Sequence, residues 1–227
     1  MKKIVILTGA GISAESGLQT FRDVDGLWEG YDIADVATPE AWKRNPELVQ
    51  QFYNERRRSV IAAQPNAAHK ALARLQEKYD LQIITQNIDD LHERGGVKNV
   101  LHLHGIITRS QSDVDAAVTY PIEGWEIKPT DVCEYGLPLR PHVVWFGENV
   151  PNLQLAAKIC SKADIFAVIG TSLAVYPAAG LTDYVPPAAM KYAVDPNLPR
   201  MRGNFKKIAQ TATIGVPQMV AELMNLK

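Results

Sequence analysis

Three glycines in GAGISAESG, residues 9–17, follow the apolar run KIVILT at 3–8 without a spacer. A buried parallel strand that empties into a glycine-rich turn and then a helix can hold a pyrophosphate. Glycines let backbone N–H groups approach phosphate oxygens, and the helix dipole adds attraction. The spacing departs from G-x-G-x-x-G, because Ala14 stands at the third glycine position and the next glycine is Gly17. Tight packing alone would use the same residues. A second polar cluster, TQNIDDLH at 85–92, closes another apolar run. Its amides, Gln86 and Asn87, and its carboxylate, Asp89, offer directional hydrogen bonds to hydroxyls or to an NH₂ group. They equally suit a capped turn, with Asn87 or Asp89 as N-cap. In LHLHG at 101–105, His102 and His104 alternate and so share one face of a strand. An imidazole titrating near neutral pH can take a proton at working pH. In FYNERRR at 52–58, Tyr53 and Arg56 are three apart and share a helix face. A phenol and a guanidinium converging on a pocket can bind a carboxylate, the arginine through two prongs. The alternative is a solvated arginine face paired with Glu47 and Glu55.

The elements that must position these groups follow from periodicity and caps. Apolar runs at 3–8, 81–85, 100–104, 141–148, 163–173 and 191–194 read as strands, the last of these as the final one. Thr38-Pro39 and Asn45-Pro46 each pair an N-cap with proline at the first helical position, and the second opens a helix over 46–62. Another helix starts at Pro65-Asn66, and a terminal one spans 217–224. Residues 109–136 are polar and read as irregular. Strands alternating with helices predict an α/β fold, a Rossmann-like parallel sheet with helices on both faces. The polar loops at Gly9, Gln86 and Gly170 each follow a strand, so they converge at the carboxyl ends of the sheet.

Bulk properties exclude several classes. A net charge of −1 recruits neither nucleic acid nor an anionic membrane. No apolar run approaches the ~20 residues of a membrane span. The MKKIVILTGAG start reaches glycines too soon for a signal peptide. Two cysteines, Cys133 and Cys160, make no disulfide framework, which points to the cytosol. Monomer or weak oligomer is the expected state.

With the run continued to LQTFRDVDGLW at 18–28, the chain resembles the sirtuin family, the NAD-dependent protein-lysine deacylases. The first family signature stands as Gly9, Ala10, Gly11, Ser13, Ser16, Gly17, Phe21 and Arg22, with Gln19 where proline is usual. The resemblance covers nearly the whole chain. It implies an NAD-binding domain over 1–30, 65–105 and 140–227, and a small domain from two insertions at 31–64 and 106–139. Cofactor contacts implied in the first loop are Gly9, Ala10, Gly11, Ser13, Ala14, Glu15, Phe21, Arg22, Asp23 and Trp28. Gln86, Asn87, Ile88 and Asp89 match a TQNID-type motif, Gln86 and Asn87 facing the nicotinamide ribose and Asp89 the carboxamide; Asp90 replaces a frequent glycine. Gly170, Thr171 and Ser172 match the second nucleotide loop. Ala193, Val194 and Asp195 fall at the ribose loop, with Ala193 where asparagine is common, and Ala212 falls at the adenine contact.

The family pattern sets the catalytic base immediately before a glycine, which selects His104, with Asn87 beside it. His69, His92 and His142 are read as structural. PHVVWFGE at 141–148 resembles the strand on which a substrate peptide adds by backbone pairing, with Val143, Phe146, Gly147 and Glu148 as contacts. The Tyr-x-x-Arg of Tyr53 and Arg56 resembles the class that removes succinyl, malonyl and glutaryl groups, which turns the preference from a solvated face to an acyl pocket. Most sirtuins hold a structural zinc on four cysteines. Here only Cys133 lies between His104 and Val143, so the expectation is no zinc, with packing by Tyr120, Trp125, Ile127 and Tyr135 instead. The implied reaction takes NAD and an acylated lysine in a protein or peptide, and yields free lysine, nicotinamide and an O-acyl-ADP-ribose. Phe21 would shield the reactive carbon. Plain deacetylation, ADP-ribosyl transfer, NAD hydrolysis and NAD sensing remain open.

Overall fold

The computed structural model describes residues 1–19, 28, 30–115 and 117–226. The candidates Phe21, Arg22 and Asp23 lie outside the described residues. Strand β1 (Lys3–Thr8) leads into two short 3₁₀ turns at Ala10–Ile12 and Ala14–Ser16, where the sequence suggested a longer helix. Helices α1 (Ile33–Val36), α2 (Pro39–Arg44) and α3 (Pro46–Ala62) follow. Thr38 and Asn45 cap α2 and α3 as expected, accepting from the Ala41 and Leu48 amides at 3.0 and 3.1 Å. Next come α4 (Ala67–Arg74, capped by Asn66), β2 (Asp80–Thr85), α5 (Leu91–Arg94) and β3 (Val100–His102). The chain then forms β4 (Gly105–Ser112), β5 (Thr119–Pro121) and β6 (Leu139–Val143). Helix α6 (Leu153–Cys160), β7 (Ile165–Ile169), β8 (Met190–Val194), β9 (Phe205–Ile208) and α7 (Ala212–Asn225) complete it.

Six strands form one parallel sheet in the order β3-β2-β1-β7-β8-β9. Its two faces bury alternate residues, as a pleat requires. Ile4 and Ile6 of β1 pack with Leu72 of α4 and Met219 of α7, while Val5 and Leu7 pack with Ala156 of α6 and Leu181. Strand order reverses at β1, so a crevice opens beside its carboxyl end, between the loops after β1 and β7. A separate antiparallel sheet, β5-β4-β6, lies beside α1–α3, with Ile107, Val143 and Trp145 packed against Phe52 and Tyr53.

Five element assignments need correction. KYAV is not the last strand, because β9 pairs beyond it through a short run whose two lysines face outward. Residues 109–136 are not wholly irregular: β4 and β5 pair across polar residues there. The terminal helix begins five residues before Pro217, which sits in its second turn. Finally, β3 stops at His102 and β6 at Val143, so His104 lies on a bend and Trp145 in irregular chain beyond the strands.

The packing expected of the small module is also revised. Ile127 is buried, but Trp125 and Tyr135 are exposed, and Tyr120 bonds the Glu134 carboxylate at the surface. What ties this module to α3 is polar. The Asn54 side chain both donates to the Ile127 carbonyl (3.1 Å) and accepts from the Ile127 amide (3.0 Å). Arg57, fully buried, donates to the carbonyls of Ile107 (2.5 Å) and Trp125 (3.0 Å) and to Asn54 Oδ1 (2.7 Å). Burial alone pulls Arg57 down to about 10, well on the charged side of neutral pH. Among the described residues no group of three His, Cys, Asp or Glu side chains could hold a metal ion. Asn54→Ala strands a buried amide and carbonyl, and is expected to cost about 1–3 kcal/mol. Denaturant unfolding, with hydrogen exchange read at the Ile127 amide, measures it.

Candidate active site

The loops at the carboxyl ends of β1, β2, β7 and β8 surround a cavity of about 630 Å³, within the range of small-molecule sites. Every described candidate residue lines it except Ala193. Ala193 and Val194 are neighbours on β8, so they face opposite ways; Ala193 enters the core under α6, and Val194 and Asp195 reach the cavity.

The glycines bring two loops into backbone contact. The Gly9 amide donates to the Ile169 carbonyl (3.0 Å) and the Gly11 amide to the Gly170 carbonyl (2.9 Å). A Cβ on Gly9 would lie 2.6 Å from Thr171 Cβ. One on Gly170, whose φ is +61°, would lie 2.4 Å from the Ile12 nitrogen. These two glycine amides therefore hold loops together. The Ala14 and Glu15 amides make no backbone hydrogen bond among the described residues and line the cavity. Glu15 accepts from the Thr213 amide (2.9 Å) and hydroxyl (2.5 Å), joining the loop to α7.

Ser13 joins the first loop to the second. Its hydroxyl donates to Asp89 Oδ2 (2.9 Å) and accepts from Asn87 Nδ2 (3.2 Å), while Asp89 Oδ1 accepts from the Leu91 amide (3.1 Å). Burial raises the Asp89 carboxyl against these hydrogen bonds. Gln86 Nε2 donates to the Thr171 hydroxyl (3.1 Å), connecting the second loop to the third. Two side-chain links, Asn87–Ser13–Asp89 and Gln86–Thr171, thus join three loops at the cavity.

The two histidines are separated by their partners. His104 Nδ1 is 2.9 Å from the Gln86 carbonyl, and His102 Nδ1 is 3.1 Å from the Asn87 carbonyl. A carbonyl only accepts, so both Nδ1 atoms carry protons. His102 Nε2 is also engaged, 2.8 Å from Glu93 Oε1. Burial pulls His102 down, but the Glu93 carboxylate and the Asn87 carbonyl outweigh it and raise it above the ordinary imidazole value. A ring with both nitrogens donating cannot take a proton. His104 Nε2 has no partner among the described residues, and His104 lines the cavity. Burial lowers His104, against the Gln86 hydrogen bond, so its ring is neutral at working pH with Nε2 open as an acceptor.

The other histidines sit away from this chemistry. His69 and His92 are buried with ring centroids 5.0 Å apart, and His92 Nε2 meets the Thr8 hydroxyl at 3.0 Å. Burial lowers His69 to about 4 and His92 well below the ordinary range. The unfolded chain therefore protonates first, and the stability these neutral rings contribute near neutral pH is lost as pH falls below 6.5. His142 Nδ1 pairs with Gln111 Oε1 at 2.8 Å on the small sheet.

The remaining wall is the turn after β6. The Val144 amide donates to the His104 carbonyl (2.9 Å) and the Phe146 amide to the Ala37 carbonyl (3.0 Å). Glu148 lines the cavity, yet its carboxylate takes a two-pronged contact from Arg140 (2.8 and 3.0 Å) and accepts from the Trp145 amide (2.8 Å). Its carboxylate thus braces the turn. Tyr53 and Arg56 line the same cavity, with the Arg56 guanidinium 4.3 Å from the Trp28 ring centroid. Burial pushes the Tyr53 phenol far up, so it stays a neutral donor. Sequence reasoning passed over Trp145, although it stands inside PHVVWFGE, and over the wall at Tyr176 and Pro177, which no motif marks.

Residues 9–177 match the Sir2 family. An NAD-dependent protein deacylase of Aggregatibacter actinomycetemcomitans is 54% identical over 198 residues, covering 87% of this chain and 95% of that protein. One of Helicobacter pylori is 46% identical, covering 100% of this chain and 99% of its own length. Among solved structures, a Sir2 homologue in complex with NAD has a TM-score of 0.89 at 38% identity, covering 98% of this chain and 90% of that one. A Sir2 with a p53 peptide and NAD⁺ has a TM-score of 0.78 at 31% identity, covering 98% and 92%.

Proposed function

This chain belongs to the Sir2 family, and from that premise we infer which acyl groups it removes and which residues remove them. The enzyme is an NAD-dependent protein deacylase. Its preferred substrate is lysine bearing an acidic acyl group, succinyl or malonyl, with acetyl as a poorer one. The observation that carries the chemistry is the His104 ring. Gln86 fixes Nδ1 as the donor, leaving Nε2 as the one imidazole acceptor that lines the cavity.

The donor set fits NAD. Free amides at Ala14 and Glu15 suit phosphate oxygens, the Asp89 carboxyl suits an amide NH₂, and Asn87 and Gln86 suit ribose hydroxyls. Gly170, Thr171, Ser172, Val194, Asp195 and Ala212 suit the adenosine side. Once bound, NAD supplies an electrophilic ribose carbon with nicotinamide as its leaving group. Once the acyl oxygen had displaced nicotinamide from that carbon, His104 Nε2 would be placed to take the proton from a ribose hydroxyl. Val143, Val144 and Phe146 carry the acyl-lysine peptide beside β6, and apolar walls keep water from the reacting carbon. By the resemblance, Phe21, Arg22 and Asp23 are further cofactor contacts. Tyr53 and Arg56 take the acyl carboxylate, the phenol as a neutral donor and the guanidinium as a charged one.

This reading divides the chain into a cofactor part (1–30, 65–105, 140–227) and a small part (31–64, 106–139) that supplies the acyl pocket without zinc. It assigns the protein to the cytosol as a monomer or weak oligomer, acting on proteins and not on nucleic acid or membranes. The test is coupling. With NAD and a succinyl-lysine peptide, nicotinamide and free lysine should form one for one, and nicotinamide release should need the peptide. Release at the same rate without peptide would make the enzyme an NAD hydrolase.

A further inference from the structure

His102 and His104 grip consecutive carbonyls of one loop. His104 Nδ1 donates to the Gln86 carbonyl at 2.9 Å and His102 Nδ1 to the Asn87 carbonyl at 3.1 Å. Asn87 is fixed at its other polar groups as well, its amide donating to the Thr85 hydroxyl (3.0 Å) and its side chain to Ser13 (3.2 Å). No other donor reaches its carbonyl among the described residues, and Asn87 is buried. Movement of that carbonyl therefore disturbs the neighbouring peptide, which orients the His104 ring. Behind His102 stands Glu93 on α5, its carboxylate 2.8 Å from Nε2. The His102 backbone is anchored in turn, its carbonyl accepting from Asn152 Nδ2 (2.9 Å).

A neutral imidazole has two nitrogens but only one proton. Both partners of His102 only accept, so the charged ring is the one form that serves both. A neutral ring must choose. A hydrogen bond to a carboxylate is roughly twice as strong as one to a neutral carbonyl, so the remaining proton goes to Nε2 and the Asn87 carbonyl is released. We propose that Glu93 and His102 are positioning residues for the reaction: the charged His102 ring clamps the Asn87 carbonyl, holding the loop that orients His104 and presents Asn87 to the ribose, and loss of its proton lets that loop go. The titratable groups facing His102 are Glu93 and His92 on α5, Asp89 on the loop and His142 on β6. Burial lowers His69, His92, His104 and His142, whereas for His102 the two carboxylates and the Asn87 carbonyl outweigh burial. Of the five histidines, His102 alone is raised above the ordinary imidazole value. The proposal rests on the reading of His104 as the base.

The test is kcat against pH, at saturating NAD, on whichever acyl-lysine peptide turns over fastest. In the wild type, kcat should fall about three- to tenfold, the worth of one lost hydrogen bond, on an alkaline limb above 6.5. Glu93→Gln should remove that limb. The new amide donates to Nε2, so a neutral ring with its proton on Nδ1 keeps the Asn87 carbonyl at every pH. His102→Gln, which cannot titrate, should remove the limb as well. A pair that served stability alone would leave the shape of the profile unchanged in both variants. A wild-type profile flat to about pH 9, or a limb that persists in either variant, overturns the proposal. His104→Ala separates the two levels: if it leaves kcat intact, the base reading falls and takes the proposal with it. If it lowers kcat while the limb persists in Glu93→Gln, the base stands and the clamp falls. Should His102→Gln fail to fold, Glu93→Gln, at an exposed position, decides alone.

Discussion

His104→Ala is expected to lower kcat for deacylation by about 10²- to 10⁴-fold, the usual worth of a positioned general base, while the Kd for NAD changes little. The size of the effect follows from geometry. No other histidine can substitute, because His102 donates through both nitrogens, to Asn87 and Glu93, His69 and His92 are buried, and His142 pairs with Gln111 outside the cavity lining. The wild-type profile adds a second signature. A base must be neutral to act, and burial lowers His104, so neutral ring persists further into acid than for a free imidazole. The acid limb of kcat against pH should therefore lie below 6.5. Steady-state kinetics across pH, with NAD binding measured by calorimetry, tests both. Deacylation within tenfold of wild type in His104→Ala would remove it from the mechanism.

Arg56→Met is expected to cost about 10- to 100-fold in kcat/KM for succinyl-lysine and much less for acetyl-lysine. A hydrogen bond to a charged group contributes about 1.5–3 kcal/mol, and the acetyl group has no carboxylate to use it. Methionine keeps an unbranched apolar side chain and removes the guanidinium, together with its contact over the Trp28 ring. Equal losses on the two peptides would mean that Arg56 supports the cavity wall without reading the acyl group.

Three consecutive arginines, 56 to 58, illustrate what sequence can and cannot resolve. On a helix they point about 100° apart, and here Arg56 lines the cavity, Arg57 ties down the small sheet and Arg58 reaches the Trp125 ring. Spacing to Tyr53 picked out Arg56. Nothing in the charge pattern distinguished Arg57, because its partners are backbone carbonyls from 107 and 125, distant in sequence. The parallel sheet was legible from its apolar runs, since strands buried on both faces need them. FKKI and GIITRSQS lack that property, being an edge strand and a polar one, and so β9 and β4 went unread. Glycine positions were legible while their use was not. Gly9 and Gly11 were expected to turn amides toward phosphate, and their amides instead bond the end of β7 and the first residue after it. The histidine choice is the reverse case. Resemblance pointed to His104, and the structure supplies an independent physical reason in the occupied Nε2 of its neighbour.

The most direct test of acidic-acyl removal is a competition in one tube. Equal amounts of one peptide carrying acetyl-, succinyl- or malonyl-lysine are incubated with enzyme and NAD, and the products are resolved by mass. The account predicts that the succinyl and malonyl peptides are consumed at least tenfold faster than the acetyl peptide. Faster loss of the acetyl peptide would contradict it, leaving a deacetylase whose Tyr53 and Arg56 serve the fold alone.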